Sequence, residues 1–286
     1  MAAKIIDGKE IAGGILSAIG KRVQKMGQKP GLAVIRVGEY APSVIYVNRK
    51  EKACKEAGFY SEKHVFGDDL GEGALIRKIQ ELNHDAKIHG ILAQLPLPRH
   101  INPDKVLEAI DIQKDVDGFH PYNQGKLFSG QPVFVPATPK GILRLIESTG
   151  VPIAGRHAVV VGRSATVGRP IALLLLAKDA TVTMAHSKTK SLKQLTREAD
   201  ILVVAVGKPN FIKHDFVKKG AVVIDVGINR RRPAAGKKYR IVGDVDFEDV
   251  KKTAGHITPV PGGVGPMTIA MLLENTLLAK EIQERN

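Results

Sequence analysis

Cysteine is almost absent from this chain: Cys54 stands alone among 286 residues. A single thiol excludes an internal disulfide and fits a reducing compartment, so the cytoplasm is the expected location. Cys54 itself reads as a small, buried helical side chain. Long apolar runs are missing too. The longest, IALLLLA at 171–177, falls far short of the roughly 20 residues that span a bilayer. The opening MAAKIIDGKEIAGG lacks the apolar segment of a secretory signal, so the mature protein is expected to start here. Acidic residues are scarce beside basic ones, 29 against 43, for a formal charge of +14. Such a charge raises nucleic acid as a partner. Yet the basic residues are spread along the chain. Their densest cluster is Arg230, Arg231 and Arg232 with Lys237, Lys238 and Arg240, and it carries one aromatic, Tyr239, and no RNA-binding signature. Neither nucleic acid nor a membrane is the expected partner; small anionic molecules are, because a positive field steers them. The nine histidines show no metal-ligand spacing, and no metal is assigned. No repeat or low-complexity tract interrupts the chain.

What is present alternates between two periods. Ile11 to Met26 carries an apolar stripe at helical spacing, and Leu32 to Val37 reads as a strand. Ser43 to Ala57 is a helix stopped by Gly58, followed by a short strand, His64 to Phe66, and a helix from Glu72 to Asn83. GILAQLPLP is a strand ending at Pro96. Asn102 is the N-cap of a short helix to Ile110, with Pro103 at its first position. From Asp115 to Pro136 periodicity fails, and the stretch reads as loop and hairpin at a lobe boundary. Thr138-Pro139 opens a helix to Ser148. Strands follow near Val159 and Val182, at Ile201 to Val206 and Ala221 to Val226, and at His256 to Val260. Last come PGGVGP and a helix from Met267 to Gln283. This order predicts an α/β protein of two lobes with largely parallel sheets and a cleft between them. The last helix is expected to return to the first lobe.

Ala158 to Val161 forms a buried strand that breaks at Gly162. A helix from Pro170 to Lys178 follows, close to the strand because Gly168 has no side chain. Such a junction aims backbone N–H groups at a phosphate. Its spacing is not Gly-x-Gly-x-x-Gly, and a plain strand-to-helix turn is the alternative reading. The next strand, Ala180 to Ser187, ends where a dinucleotide fold reads the adenosine ribose, usually with Asp or Glu when the ligand is NAD. Here stand His186, Ser187 and Lys188, with Arg163 and Ser164 in the glycine loop. Donors without a carboxylate favour NADP; ordinary solvated loop residues are the bland alternative.

Ser43, Tyr46 and Lys50 are spaced by three and four, so they share a helix face. A lysine carries protons near neutral pH only when burial or neighbouring cations lower its pKa. An exposed lysine beside a half-buried tyrosine is the competing reading. Gln94 is a polar residue inside an apolar run, at the carboxyl end of a strand where open α/β sheets bind ligands. Asp115 and Asp117 sit in a glycine-containing loop, where turn chemistry explains them equally well. Pro261-Gly262-Gly263 exposes backbone for close approach of a ligand.

Seven stretches in order, YVNRKEKACKEAGF, GILAQLPLP, KDVDGFHPYNQGKL, PATPKG, VVVGRSATVGRP, DVGINR and ITPVPGGVGPMT, together resemble the bifunctional methylenetetrahydrofolate dehydrogenase/cyclohydrolases. The resemblance covers nearly the whole chain. It implies a folate-binding catalytic domain over 1–138 plus 267–286 and a Rossmann-like NAD(P)-binding domain over 139–266. It further implies NADP-linked oxidation of methylenetetrahydrofolate, hydrolysis of the methenyl product, and a homodimer. By the same resemblance Lys50 is the catalytic lysine, Tyr46 stacks on the folate, Gln94 tunes the lysine and Asp117 binds the pterin. Leu95, Pro261, Gly262 and Gly263 are further folate contacts. Thr138, Gly162, Arg163, Ser164, Val167, Gly168, His186, Ser187, Gly207 and Ile228 are the implied NADP contacts. Two positions depart from the pattern: Ala137, where relatives often have Cys, and Thr166, where Ile is frequent. A monofunctional dehydrogenase, a shikimate-dehydrogenase-like enzyme and a basic nucleic-acid-binding Rossmann protein are the competing readings.

Overall fold

A computed structural model of the chain describes residues 2–231 and 239–285. Arg232, Lys237 and Lys238 of the basic cluster lie outside the described residues. The elements begin with β1 (Lys4–Ile5), α1 (Gly8–Gln24), β2 (Gly31–Val37), α2 (Ala41–Glu56), β3 (Tyr60–Phe66), α3 (Glu72–His84), β4 (Gly90–Ala93), α4 (Pro103–Glu108) and α5 (Pro121–Phe128). They continue with α6 (Ala137–Glu147), β5 (His157–Val161), α7 (Gly168–Leu176), β6 (Thr181–Ala185), α8 (Leu192–Thr196), β7 (Ile201–Val204), β8 (Val222–Asp225), β9 (Asn229–Arg231), β10 (Arg240–Val242), α9 (Phe247–Val250), β11 (His256–Ile257) and α10 (Val264–Gln283). Two compact units result: residues 13–137 with 269–286, and residues 1–12 with 138–268.

The first unit is built on a three-stranded parallel sheet in the order β3-β2-β4. Every residue of the central strand β2 is buried, which explains why it is apolar except for Arg36, whose guanidinium donates to Gly38 O and pairs with Glu39. Ala33, Ile35 and Val37 pack with Ile91 and Ala93 of β4 and with Leu75, Ile79 and Leu82 of α3. Asn102 caps α4 by accepting a hydrogen bond from Asp104 N at 2.9 Å, with Pro103 in the first turn. The buried Lys114 donates from Nζ to the carbonyls of Leu82 and Asp85 at the end of α3, which also accept from Asp85 N and Ile88 N.

The second unit carries a six-stranded parallel sheet, β1-β11-β8-β7-β5-β6. β7 and β8 are buried throughout, as two-sided strands must be. Val159, Val161, Leu202, Val204, Val223 and Ile257 anchor its core. A separate antiparallel ribbon joins β9 to β10.

Several expectations need correction. The 115–136 stretch is not loop and hairpin: α5 occupies Pro121–Phe128, started by His120, whose Nδ1 accepts from Tyr122 N, and by Pro121 in its first turn. GILAQLPLP leaves the strand at Ala93, before a cis Leu95–Pro96 bond, so Gln94 lies just beyond β4. The strand expected to run to Val260 ends at Ile257. α10 starts at Val264, taking Gly265 and Pro266 into its first turn. β3 starts at Tyr60, four residues before the predicted His64, paired along all of β2. The first twelve residues group with the sheet of the second unit, because β1 pairs with β11.

Candidate functional site

α2 presents Ser43, Tyr46 and Lys50 on one face, and the competing picture of an exposed lysine fails. Lys50 is 6 % exposed, and its Nζ donates to Gln94 Oε1 at 3.0 Å. Burying an ammonium costs several kcal/mol, which one neutral amide oxygen does not return. Burial therefore lowers the Lys50 pKa, and the Asp117 carboxylate opposes that shift. One turn on, burial pushes the Cys54 thiol up to about 12, so it stays neutral beside Lys50. Tyr46 is half-buried with its phenol pKa raised by burial. Ser43 is buried, and its hydroxyl has no hydrogen-bond partner among the described residues.

Gln94 is held from three sides. Its N–H donates to Ile35 O at 2.8 Å, extending the β4 ladder one residue past the strand. Its side-chain amide donates to Leu95 O at 2.8 Å, which turns Oε1 toward Lys50.

The loop between α4 and α5 holds its two aspartates in different settings. Asp115, 1 % exposed, accepts hydrogen bonds from Phe119 N, His120 N and Asn123 Nδ2, so its carboxylate is consumed in shaping the loop. Asp117 instead faces the Lys50 charge. Burial raises its pKa to about 6, against the pull of Lys50. The segment is pinned to β4 through Ile91 N donating to Lys114 O, and Gly90 has no side chain to collide with Val116. Asn275 of α10 completes the support: its Nδ2 donates to Val116 O at 2.8 Å and Val135 O at 2.9 Å.

In the second unit, Gly162 adopts φ +132°, and a Cβ there would stand 2.3 Å from Ala205 O. A Cβ on Gly168 would stand 2.3 Å from Gly162 O, so strand and helix meet only because both positions are glycine. Ser164 Oγ accepts from Val167 N and Gly168 N at 3.2 Å each, closing the turn while its hydroxyl proton can still donate. Arg163, Ser187 and Lys188 are exposed, and His186 Nδ1 accepts from Lys188 N. Gly207, at φ +66°, has open space where a Cβ would point. Ile228 is half exposed. This donor set, with no carboxylate at 186–188 and small residues at the sheet's carboxyl edge, suits a phosphate-bearing nucleotide.

Lys50, Tyr46, Gln94, Leu95 and Asp117 thus belong to one unit, and the expected nucleotide contacts to the other. Thr138 is in the second unit, its hydroxyl 2.9 Å from that of Thr268. Pro261, Gly262 and Gly263 also belong there, with Gly263 O beside Gly8 in a contact that leaves no room for a Cβ. The buried Ala137 opens α6, and Thr166 is half-buried. Sequence reading missed Asn275, Asp225 and Asp244. A buried Asn in an otherwise apolar helix and Asp in the runs AVVIDVG and VGDVD are signals that could have pointed to them.

Comparison with known proteins follows the same division. Residues 6–117 match the tetrahydrofolate dehydrogenase/cyclohydrolase catalytic domain, and residues 136–284 match the NAD(P)-binding domain of the same family. The chain is 52% identical over 284 residues to the bifunctional protein FolD of Nitrosospira multiformis, covering 98% of this chain and 97% of that one. The crystal structure of the bifunctional FolD methylenetetrahydrofolate dehydrogenase/cyclohydrolase from Campylobacter jejuni superposes with a TM-score of 0.94 at 46% identity, over 99% of this chain and all of that one. The Trypanosoma brucei enzyme complexed with NADP cofactor and an inhibitor gives 0.96 at 38% identity, over the full length of both. The chain belongs to the tetrahydrofolate dehydrogenase/cyclohydrolase family.

Proposed function

We propose that this protein oxidises 5,10-methylenetetrahydrofolate to the 5,10-methenyl cation with NADP as acceptor, and then adds water to give 10-formyltetrahydrofolate, with Lys50 moving the proton of the second step. The observation that carries this reading is the buried Lys50–Gln94 pair beside Asp117. NADP, when bound, accepts the hydride. Once hydride has left, the methenyl carbon is a resonance-stabilised cation. The dehydrogenase step therefore depends chiefly on positioning.

Water attack on that carbon needs a base. A buried lysine with a lowered pKa supplies a neutral amine. Gln94 Oε1 takes one N–H of Nζ, so the amine lone pair faces away from Gln94. Tyr46 provides an aromatic face for the pterin, Asp117 accepts hydrogen bonds from its N–H groups, and Leu95 and Pro261 to Gly263 are further folate contacts. Arg163, Ser164 and Ser187 would hold the 2′-phosphate of NADP, with Val167, Gly168, His186, Gly207, Ile228 and Thr138 around the rest of the nucleotide. The absence of a carboxylate at 186–188 supports NADP over NAD. Cytoplasmic location and a homodimeric state complete the proposal, on the family resemblance and the single buried Cys54.

The test is a coupled absorbance assay with methylenetetrahydrofolate and either nicotinamide dinucleotide. Rapid folate-dependent reduction of NADP, with NAD at least tenfold slower, is the expected result. No folate-dependent reduction of either would overturn the assignment, and faster NAD reduction would overturn the cofactor choice.

A further inference from the structure

Two buried carboxylates lie behind the nucleotide-facing turns of the second unit, and neither belongs to the residues assigned above. Asp244 is fully buried. Its Oδ2 accepts from Val206 N at 2.7 Å and Gly207 N at 2.8 Å, and its Oδ1 accepts from Asn229 Nδ2 at 2.8 Å. Asp225, 2 % exposed, accepts from Gly227 N and Asp244 N through Oδ1 and from Val245 N through Oδ2, all at 2.9 Å. Its own N–H donates to Thr258 Oγ1. The packing admits no side chain between them. A Cβ on Gly227 would come within 2.3 Å of the Asp244 carboxyl, and one on Gly243 within 1.8 Å of Asp225 Oδ2.

Stability alone is a poor reason for this arrangement, because buried charges are costly and well-packed apolar residues commonly do as well. What the carboxylates deliver is geometry. β7 and β8 are parallel neighbours, so the turns that follow them, 205–207 and 226–229, emerge at the same edge. Asp244 holds the first through two N–H groups and the second through Asn229. The first turn in turn lies against Gly162, through Ala205 O. On the outer side of this clamp stand the exposed Gly207 and Ile228.

We propose that Asp244 is a positioning residue for the nicotinamide cofactor: it touches no substrate but fixes the turns carrying Gly207 and Ile228 beside the Gly162 junction. The proposal rests on the reading of this unit as an NADP site. Asp225 supports it from behind, by orienting the Asp244 backbone.

The experiment compares the wild type with Asp244→Asn and with the double variant Asp244→Asn, Asn229→Asp. In the single variant the carboxylate charge is lost: one amide oxygen accepts more weakly from Val206 N and Gly207 N, and the Asn229 amide must turn over to accept from the new N–H₂. In the double variant the amide at 244 donates to the new carboxylate at 229, which restores the bond with its polarity reversed. Calorimetric titration with NADP should show the dissociation constant rising at least tenfold in Asp244→Asn and recovering most of that loss in the double variant. Hydrogen exchange without ligand should accelerate at Val206 and Gly207 while the β5 amides keep wild-type protection. The KM for NADP should rise while that for methylenetetrahydrofolate stays within twofold. An NADP dissociation constant within twofold of wild type in Asp244→Asn would overturn the proposal, even with faster exchange. So would failure of the double variant to recover affinity. If Asp244→Asn does not fold, Asn229→Ala removes only the Oδ1 contact at a half-buried position, and unchanged affinity there is equally decisive against the proposal. A wild type that binds neither NADP nor NAD would overturn the cofactor reading itself, a result distinct from any of these because it needs no variant.

Discussion

Asp117 and Lys50 set each other's protonation. Lys50 is buried and Asp117 half-buried, each is pushed toward its neutral form by desolvation, and each partly restrains the other's shift. One pKa unit corresponds to about 1.4 kcal/mol, so burial and charge pairing are competing on a scale that matters for catalysis. A carboxyl that titrates near 6 is ionised at neutral pH and can accept the pterin N–H bonds proposed for it, and it loses that ability as the pH falls through 6. Removing the Lys50 charge takes away the influence that lowers the Asp117 pKa. Carbon-13 NMR of labelled aspartate should find a carboxyl titrating near 6 that disappears in Asp117→Asn and moves upward in Lys50→Met. A titration unmoved by Lys50→Met would mean that the two groups do not interact. The spacing of Ser43, Tyr46 and Lys50 was legible in the sequence, because three-and-four spacing defines a helix face. The burial of Lys50 was not, because burial is a property of the fold, and its hydrogen-bond partner Gln94 lies 44 residues away, just beyond β4.

Among the elements, α10 does more than close the first unit. Asn275 ties Val116 O and Val135 O, the carbonyls on either side of α5, and so fixes the loop that carries Asp117. Leaving a buried carbonyl without its donor costs about 1–3 kcal/mol. Asn275→Leu, similar in size, should therefore lower the unfolding free energy by about 2–4 kcal/mol in a urea titration. It should also weaken folate binding. A loss below about 0.5 kcal/mol would show that the loop holds without this tie. The helix existed in the sequence as an apolar pattern, yet the role of Asn275 was invisible there, since its partners lie 140 and 159 residues upstream. α5 was hidden for the opposite reason. Its Asn, Gln and Gly residues read as loop, and the start signal at His120-Pro121 went unused. β1, two residues long, is too short to carry any period and exists only because it pairs with β11.

At the scale of the whole molecule, the candidate groups are distributed over two compact units. Residues 13–137 with 269–286 hold the lysine, the glutamine and the carboxylate. Residues 1–12 with 138–268 hold the glycine junction and the donors proposed for a phosphate. The formal charge of +14 suits substrates and cofactors that are themselves anionic. The alternation of strands and helices was sufficient to foresee two α/β lobes. Folate as the substrate came only from the order of the motifs, because no residue pattern encodes a pterin. The role proposed for Lys50, confined to the hydrolytic step, makes the two activities separable. A general base typically contributes about 10²–10⁴-fold to a rate. Hydride transfer asks nothing of that base.

The decisive measurement is the decay of methenyltetrahydrofolate absorbance with purified wild type and with Lys50→Met, each also assayed for NADP reduction with methylenetetrahydrofolate. Wild type should accelerate the decay well above the spontaneous rate, and Lys50→Met should lose at least about 10²-fold of that acceleration while keeping measurable dehydrogenase activity. A Lys50→Met enzyme that hydrolyses methenyltetrahydrofolate as fast as wild type would contradict the role given to this buried lysine.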